Sequence, residues 1–370
     1  MPRPRNAEAA SRSRDDSAGR IDVHHHLIPP AFVDAMVKHG ITEVAGAPLP
    51  KWRPQDSIAV MDTNRIATAI LSLSAPGVHF GDGEAKARDL ARRCNEFAAG
   101  LVQQFPGRFG SFAVLPMPFT HSACEEAIHA LDVLNADGVV LLGSTDGVFL
   151  GDRRFDELMS ELDRRKSVVF VHPNLHASSM QTGLDMPGFL LEFVCDTTRA
   201  AVNLILSGTI ARHPNIRFIL AHAGGFLPYI AWRISLANAL PQYAQAEPNG
   251  ILRAIRNFYY DTALSPSPYA MAALKALIDP SHLMFGSDFP FAPAQITGVQ
   301  TRELERSPVW DADARHGIDR DHALALFPRL AITGEHIAAP ASWRRSGLRE
   351  NLRRTAHGLA VSVAERLLHQ

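Results

Sequence analysis

The chain has 370 residues, 46% of them hydrophobic, and its 37 basic and 38 acidic side chains give a formal net charge of −1. A chain of this length can bury the core of one large domain or of two modest ones. Its near-neutral charge gives no general electrostatic reason to expect a nucleic-acid partner. No apolar run approaches the roughly 20 residues that a membrane-spanning helix needs, so we also expect no membrane partner.

Cysteine usage and the N-terminal residues bear on location. Cys94, Cys124 and Cys195 are widely spaced, which indicates neither a disulfide framework nor a cysteine metal site and favours a reducing, cytoplasmic location. Residues 1–19 mix arginines with acidic residues and contain no apolar segment, so they are not typical of a secretory signal or a transit peptide. We expect residues 1–19 to be a disordered tail.

Apolar, β-rich runs then alternate with segments of helical spacing such as Arg88–Gln104. The β-rich runs are Arg20–His24, Ala67–Ser74, Phe109–Met117, Gly138–Gly143, Ser167–Pro173, Arg217–Gly224, Asn257–Ala263 and His282–Pro290. Several are almost continuously apolar, which is typical of parallel strands covered on both faces. Eight such β–α units within about 300 residues favour an α/β fold of the (β/α)₈ TIM-barrel type over residues 20–330. A doubly wound open sheet is the alternative, but no G-x-G-x-x-G turn follows the first run.

The first run continues into a histidine triplet within Arg20–Pro29. Ile21 and Val23 are typical of the buried face of a short strand, and because a strand alternates its side chains, His24 and His26 point the same way. Two imidazoles so placed can reach one cation, since a neutral histidine nitrogen binds zinc at about 2.0–2.1 Å. The alternative is a surface histidine run or the remnant of a tag.

Three later runs also present a titratable side chain where they end. His172 ends the fifth run, His222 lies at the end of the sixth and Asp288 at the end of the eighth. In a barrel these positions converge on one mouth, where they can share a site with His24 and His26. One histidine at a strand end is more often structural, but five such groups at the ends of four strands favour a metal site.

These motifs resemble those of the amidohydrolase superfamily, and within it the branch of the aminocarboxymuconate-semialdehyde, γ-resorcylate and 6-methylsalicylate decarboxylases. The resemblance runs from Ile21 to about Leu330 and is carried by Asp22-Val23-His24-His25-His26-x-x-Pro29, Val171-His172-Pro173, His222-Ala223-Gly224-Gly225 and Gly286-Ser287-Asp288-Phe289-Pro290. It implies that the metal ligands are His24, His26, His172 and Asp288. It also implies that His222 is the acid/base, while His25 faces away from the site.

The expected centre holds one metal ion. Binuclear members of the superfamily commonly carry a carbamylated lysine at the end of the fourth strand, but the segment from Gly138 to Arg153 contains no lysine. Three imidazoles and one carboxylate suit zinc, manganese or iron rather than calcium, and they leave room for water or substrate. We expect a single divalent ion, Zn²⁺ first and Mn²⁺ as the alternative.

The resemblance implies a carboxy-lyase: a metal-dependent, non-oxidative decarboxylase of a small aromatic or unsaturated carboxylic acid. The metal would hold the substrate while His222 and Asp288 move the proton. The ligand set alone leaves open a mononuclear hydrolase of a lactone, ester or amide. A non-catalytic metal-binding barrel is the third alternative, and the presence of both His222 and Asp288 argues against it.

A stretch of about forty residues, Pro29–Asn64, is inserted after the first strand, on the catalytic face of a barrel. We expect Arg53 in this long loop to hold the substrate carboxylate, with Lys51 in reserve. The alternative is that Arg53 only solvates the loop. The other candidate substrate-binding residues, for each of which the alternative is a structural role, are Trp52 and Phe291 as walls of a ring pocket and His79 as a polar contact.

After Leu330 the barrel pattern ends. Residues 331–370 are basic and carry a loose helical stripe formed by Leu348, Leu352, Leu359, Val363 and Leu367. We expect a C-terminal helical extension that docks a second subunit in a homodimer or higher homo-oligomer; the alternative is a solvated extension.

Overall fold

The computed structural model describes residues 19–334 and 348–368. One parallel sheet contains eight strands whose spatial order follows the chain. We number these strands β1 (Arg20–His26), β2 (Ile66–Ser72), β3 (Phe109–Val114), β4 (Gly138–Leu142), β5 (Val168–His172), β6 (Arg217–Leu220), β7 (Tyr259–Asp261) and β8 (Leu283–Met284). Val23 N–H donates to the Phe285 carbonyl oxygen at 3.0 Å, and His25 pairs in parallel with Phe289. The last strand therefore meets the first, and the predicted (β/α)₈ barrel is confirmed.

Helices separate the strands. They are α1 (Pro30–Lys38), α2 (Pro54–Thr63), α3 (Glu84–Gln104), α4 (Thr120–Asp132), α5 (Asp156–Arg164), α6 (Gly188–Leu206), α7 (Thr209–Arg212), α8 (Leu227–Ser235), α9 (Pro241–Ala246), α10 (Ile251–Asn257), α11 (Pro268–Leu277), α12 (Ala294–Arg306), α13 (Ala312–His316), α14 (His322–Leu326), α15 (Arg329–Gly334) and α16 (Leu348–Leu368). Within the described residues, no helix is both long enough and apolar enough to cross a bilayer.

The strands are buried on both faces, which explains their continuous apolar sequence. In β5, Phe170 points into the barrel, where its ring lies 5.5 Å from that of Phe112 on β3. Val169 and Val171 point the other way and pack in the layer between strands and helices. All five residues of β5 are buried. His172 continues the inward face that Phe170 begins, and it therefore reaches the mouth of the barrel.

The long loop after β1 has regular structure of its own. It contains α1, a short antiparallel hairpin that pairs Glu43–Val44 with Ala47–Pro48, and α2. Proline at the first position of each helix favours helix initiation there, because its missing N–H would have no helical partner. The hairpin reaches the first turn of α6, since Phe189 N–H donates to the Ala45 carbonyl oxygen at 3.1 Å. The loops after β1 and β5 thus contact each other over the mouth.

The C-terminal helix α16 packs against α12. Val361 is fully buried, and Arg302 of α12 pairs with Glu365 at 3.4 Å. The same helix leaves Leu359, Val363 and Leu367 between 56% and 69% exposed. The expected N-terminal tail lies outside the described residues except for Gly19, and the predicted domain boundaries stay predictions.

Candidate active site

The four predicted metal ligands come together at the mouth of the barrel. One ligand atom from each of His24, His26, His172 and Asp288 lies within 4.8 Å of the others. All four side chains are buried, with 0% to 7% of each residue exposed. They arise from β1, from the end of β5 and from the turn after β8, so the barrel topology assembles a group that spans most of the sequence.

The Nδ1 atom of each histidine in the group has a partner behind it. These partners are an Asp261 carboxylate oxygen at 2.7 Å from His24, the Ser72 carbonyl oxygen at 3.1 Å from His26 and the Pro173 carbonyl oxygen at 2.9 Å from His172. When Nδ1 donates, Nε2 carries the lone pair that a metal requires. The Nε2 atoms of His24 and His26 are 3.1 Å apart, and two lone pairs at that distance repel unless a cation lies between them.

The two oxygens of Asp288 face different partners. Oδ1 lies 3.0 Å from His26 Nε2 and 3.3 Å from His24 Nε2, whereas Oδ2 lies 3.6 Å from His222 Nε2. Asp288 and His222 both have positive φ angles, 61° and 55°. A non-glycine residue in this region is strained, and such strain concentrates at functional sites. Asp288 therefore links the histidine group on one side with the predicted acid/base on the other.

Burial and neighbouring charges hold the group in the protonation states that a metal site needs. Burial lowers the pKa of His172 well below its usual value, and the adjacent His26 and His24 lower it further. Burial alone would raise the pKa of Asp288, but the neighbouring His222, His24 and His26 outweigh it and hold the pKa well below the usual range. The carboxylate is thus ionised and His172 neutral.

His24 is the exception among the three histidines. Burial lowers its pKa, but Asp261 and Asp288 outweigh that effect and raise the pKa to about 10. Without a metal, a proton therefore supplies the positive charge between these carboxylates. A divalent cation would replace that proton, so the donor set and its surroundings fit a metal ion.

Asp261 is a candidate site residue that the sequence analysis did not identify. Its Oδ2 accepts from His24 Nδ1, and its Oδ1 accepts the backbone N–H groups of His222 at 2.9 Å and of Ala263 at 3.0 Å. It ends β7 and is fully buried. The signal was present, because the rule that selected His172 at the end of its strand would also have selected Asp261.

A second buried carboxylate, Asp196 on α6, ties two strand ends together. It accepts the Ser144 hydroxyl at 2.6 Å and the Asn174 backbone N–H at 2.9 Å. A side chain at Gly143 would collide with this carboxylate. Asp196 therefore fills the space beside the end of β4, where the sequence lacks a lysine, and it holds the segment that follows His172.

His25 points away from the group, as strand alternation predicts. Its Nδ1 lies 3.0 Å from Asp22 Oδ2 and its Nε2 lies 2.8 Å from Ser57 Oγ. The Trp52 indole N–H donates to the same Ser57 oxygen at 2.9 Å. Trp52 is thus attached to the back of β1 through His25, and the structure does not bring it to the metal group as a pocket wall.

The structure also gives Arg53 a different setting from the predicted one. Its side chain is 76% exposed, and the guanidinium pairs with Asp56 at 3.0 Å, one turn into α2. Arg53, Lys51 and Trp52 line a separate cavity of about 500 Å³ whose described lining residues include none of the metal group. Pro54 follows Arg53 and fixes the start of α2, which places Asp56 where it pairs with Arg53.

Aromatic rings flank the histidines. Phe291 lies edge-on to His26, with 5.3 Å between ring centroids, and its predicted role as a pocket wall stays a prediction. Phe193 of α6, which sequence reasoning did not select, lies 5.9 Å from His172. His79 pairs with Asp146 at 3.2 Å and its Nδ1 is buried without a partner among the described residues, so its predicted substrate contact stays a prediction.

The amidohydrolase family profile matches residues 21–329, which is most of the chain. The chain belongs to the amidohydrolase family. This amidohydrolase is 39% identical over 329 residues to decarboxylase yanB of Aspergillus niger, covering 85% of this chain and 89% of that protein. It is 35% identical over 318 residues to 6-methylsalicylic acid decarboxylase of Penicillium expansum, covering 84% and 97%. The predicted resemblance is confirmed.

A solved structure supports the fold of this amidohydrolase. The dihydroxybenzoic acid decarboxylase of Polaromonas sp., crystallised with manganese and the inhibitor 2-nitroresorcinol, superposes with a TM-score of 0.73. The alignment covers 84% of this chain and 97% of that one, at 24% identity. At this identity the likeness concerns the barrel fold.

Proposed function

We propose that this amidohydrolase is a metal-dependent, non-oxidative decarboxylase of an aromatic carboxylic acid with a hydroxyl group beside the carboxyl group. The observation that carries the proposal is its similarity to decarboxylases, at 39% and 35% identity over at least 84% of the chain. The proposal is also supported by the metal group of His24, His26, His172 and Asp288, because a metal-dependent decarboxylase needs a cation that binds the substrate carboxylate. The predicted carboxy-lyase class therefore stands.

His24, His26, His172 and Asp288 would hold the ion. When bound, it supplies the positive charge that anchors the substrate carboxylate and the neighbouring hydroxyl oxygen. Nitrogen-rich ligand sets with one carboxylate suit zinc, which is the ion we propose. Manganese, which the Polaromonas structure contains, is the competing ion.

The residues around the ligands supply positioning and the proton. Phe291 and Phe193 border the histidines with apolar surface against which an aromatic ring can pack. His222 Nε2 and Asp288 Oδ2, 3.6 Å apart, form the pair that delivers a proton to the ring carbon bearing the carboxyl group. The carbon–carbon bond to the carboxyl group then breaks, its electron pair returns to the ring, and carbon dioxide leaves.

Metal analysis followed by a substrate screen tests this proposal. The purified protein, loaded in turn with Zn²⁺ and Mn²⁺, is incubated with 6-methylsalicylate and 2,6-dihydroxybenzoate, and carbon dioxide is measured. A parallel series uses phenyl esters and aromatic lactones. Carbon dioxide release that requires metal supports the proposal. Ester or lactone hydrolysis without decarboxylation would establish the hydrolase alternative, and metal binding without either activity would establish a non-catalytic barrel.

We also propose that the protein assembles as a homodimer or higher homo-oligomer. A cytoplasmic location stays a prediction, and whether Arg53 holds the carboxylate is decided by the effect of Arg53→Ala on kcat/KM.

A further inference from the structure

A buried carboxylate next to the metal group collects four hydrogen bonds. Asp22 lies on β1 and is fully buried. Its Oδ1 accepts the backbone N–H groups of His24 at 3.1 Å and of Ser287 at 3.0 Å. Its Oδ2 accepts the Ser287 hydroxyl at 2.6 Å and lies 3.0 Å from His25 Nδ1. A carboxylate has about four acceptor positions, so the four contacts use the whole acceptor capacity of Asp22.

The hydrogen bonds continue from Asp22 towards α2, and their direction is fixed. A carboxylate only accepts, so His25 Nδ1–H donates to Asp22 and the lone pair of the neutral imidazole lies on Nε2. This Nε2 accepts the Ser57 hydroxyl at 2.8 Å. An indole nitrogen only donates, so Ser57 Oγ accepts the Trp52 N–H at 2.9 Å. Every donor from Trp52 onwards therefore points towards Asp22.

On its other side, Asp22 holds the turn after β8 that carries Asp288. Ser287 bonds to Asp22 through both its N–H and its hydroxyl, and it directly precedes Asp288. The Ser287 hydroxyl oxygen also accepts the N–H of Phe289, the residue that follows Asp288, at 3.1 Å. The Asp288 N–H itself donates to the His24 carbonyl oxygen at 2.8 Å. Both neighbours of Asp288 are thus fixed through the Ser287 side chain, and Ser287 is fixed by Asp22.

The backbone of Asp288 needs this support because it is strained. Its φ angle of 61° lies in the left-handed region, which a non-glycine residue keeps only where the surrounding structure holds it. This conformation directs Oδ1 to His26 Nε2 at 3.0 Å and Oδ2 towards His222 Nε2 at 3.6 Å. Relaxation of the turn would move both oxygens together. Metal binding and the contact with the acid/base therefore depend on the same backbone conformation.

We propose that the buried, hydrogen-bonded side chains around Asp22 position the metal site. In order, the members of this Asp22 chain are Trp52, Ser57, His25, Asp22 and Ser287. The Asp22 chain holds Asp288 in its strained conformation and so directs one carboxylate oxygen to the metal and the other to the acid/base. It also ties the long loop after β1 to the turn after β8. The proposal rests on the proposed function only for the assignment of the metal ligands.

Ser57, His25 and Asp22 also have the connectivity of a nucleophilic serine triad, in which a carboxylate orients a histidine that takes the serine proton. Their surroundings argue against that use. All three are fully buried, and Ser57 Oγ already accepts the Trp52 N–H. Ser57 is not among the described residues that line the neighbouring cavity, although Trp52 and Asp56 are. A serine nucleophile must reach its substrate, so the geometry favours positioning.

Asp22→Asn tests the proposal because it reverses the hydrogen bonds of the chain at almost unchanged shape. The amide oxygen retains the two backbone N–H donors, from His24 and Ser287, so the NH₂ group takes the place of Oδ2. The Ser287 hydroxyl then loses its acceptor, and His25 accepts from the amide only as the Nε2–H tautomer. We expect Zn²⁺ affinity to fall about 10–100-fold, as for other groups that orient metal ligands. Chelator competition measures the affinity, and nitrogen-15 NMR of the metal-free protein identifies the His25 tautomer.

Glu126→Gln is the matched control. Glu126 of α4 is also buried and accepts Asn95 Nδ2 at 2.8 Å and Arg92 Nε at 2.9 Å, both from α3. It loses an acceptor oxygen in the same way but touches no member of the Asp22 chain, so its Zn²⁺ affinity should change less than about threefold. Circular dichroism verifies folding. If Asp22→Asn does not fold, Ser287→Ala replaces it, with an expected loss of about tenfold.

A double-mutant cycle identifies the contact through which Asp22 acts. In a Ser287→Ala background, Asp22→Asn should lower Zn²⁺ affinity by less than it does in the wild type, because both substitutions remove the same hydrogen bond. A purely structural role would instead lower the urea midpoint of Asp22→Asn and of Glu126→Gln and leave Zn²⁺ affinity unchanged in both.

Several results would overturn the proposal. These are a Zn²⁺ affinity of Asp22→Asn within about threefold of wild type, an equal loss in Glu126→Gln, an unchanged His25 tautomer, and covalent labelling of Ser57 by a fluorophosphonate. A wild-type protein that binds no Zn²⁺ would overturn the metal assignment itself. Intact Zn²⁺ binding with a failed decarboxylase assay would leave these measurements unaffected, so the positioning role and the proposed function can fail separately.

Discussion

Replacement of Asp261 by asparagine tests how the barrel prepares His24 for metal binding. Asp261 Oδ1 accepts two backbone N–H groups, from His222 at 2.9 Å and Ala263 at 3.0 Å, while Oδ2 accepts His24 Nδ1–H at 2.7 Å. Asparagine has a single acceptor oxygen, which two converging N–H donors will retain. Its NH₂ group must then face His24 Nδ1. His24 can accept that hydrogen bond only by moving its own proton to Nε2, where a metal must bind.

The expected loss of metal affinity follows from this change in the tautomer of His24. Loss of the group that orients a metal-binding histidine lowers metal affinity by about 10–100-fold, or about 1.4–2.7 kcal/mol. Zinc affinity is measured by competition with a chromophoric chelator, and circular dichroism verifies that the variant is folded. Asp196→Asn is the matched control, because Asp196 is equally buried but contacts Ser144 and Asn174 rather than any proposed ligand.

Asp196→Asn should change zinc affinity by less than about threefold, because the Ser144 hydroxyl can accept as well as donate. If Asp261→Asn binds zinc as tightly as the wild type, Asp261 does not set the state of His24. Equal losses in both variants would show that any change to a buried carboxylate at the barrel mouth disturbs the site, and the reasoning from the tautomer would fail.

Three further predictions concern single residues. His222→Ala should keep its metal, measured by elemental analysis, and lose about 10²–10⁴ in kcat; metal loss as large as in His172→Ala would contradict its role in proton transfer. Burial raises the pKa of Asp196 from 3.8 to about 6 despite hydrogen bonds from Ser144 and Asn174, so the folded state binds the extra proton and stability falls as pH rises through that interval. In urea unfolding, the free energy of unfolding of Asp196→Asn relative to the wild type should therefore rise by about 1.4 kcal/mol between about pH 5 and about pH 7.5. A difference that does not change with pH would refute the raised pKa. Arg53→Ala should leave kcat/KM for an aromatic acid within about threefold, because an exposed ion pair with Asp56 has little effect; a selective loss above about tenfold would restore its predicted role.

The fold and the position of the site followed from the sequence for a physical reason. Both faces of a barrel strand are buried, so strands such as Val168–His172 are almost continuously apolar until they reach the mouth. A polar side chain on the inward face at the end of such a strand lies at the mouth of the barrel. This rule predicts His172 and Asp288 as site residues, and it applies equally to Asp261, which ends β7.

Side-chain positions in the loops are harder to predict from the sequence, because short-range contacts decide where those side chains lie. We expected Arg53 to reach a substrate carboxylate, but Asp56 lies three residues later and its carboxylate forms an ion pair with Arg53. Trp52 was expected to wall the pocket, but its indole N–H meets Ser57, which also bonds His25 behind β1. Nothing in the strand pattern specifies such local pairs. The helix α6 begins at Gly188 and brings Phe193 close to His172, although no motif in the sequence marks Phe193.

The central claim is that this amidohydrolase replaces a ring carboxyl group with a proton. Its most direct test is the reaction of the metal-loaded protein with 6-methylsalicylate in deuterated water, followed by NMR of the product and measurement of carbon dioxide. We expect 3-methylphenol and carbon dioxide in equal amounts, with one deuterium at the ring carbon that carried the carboxyl group. A fully metal-loaded protein that releases no carbon dioxide from aromatic acids, yet hydrolyses an ester or lactone, would contradict the account.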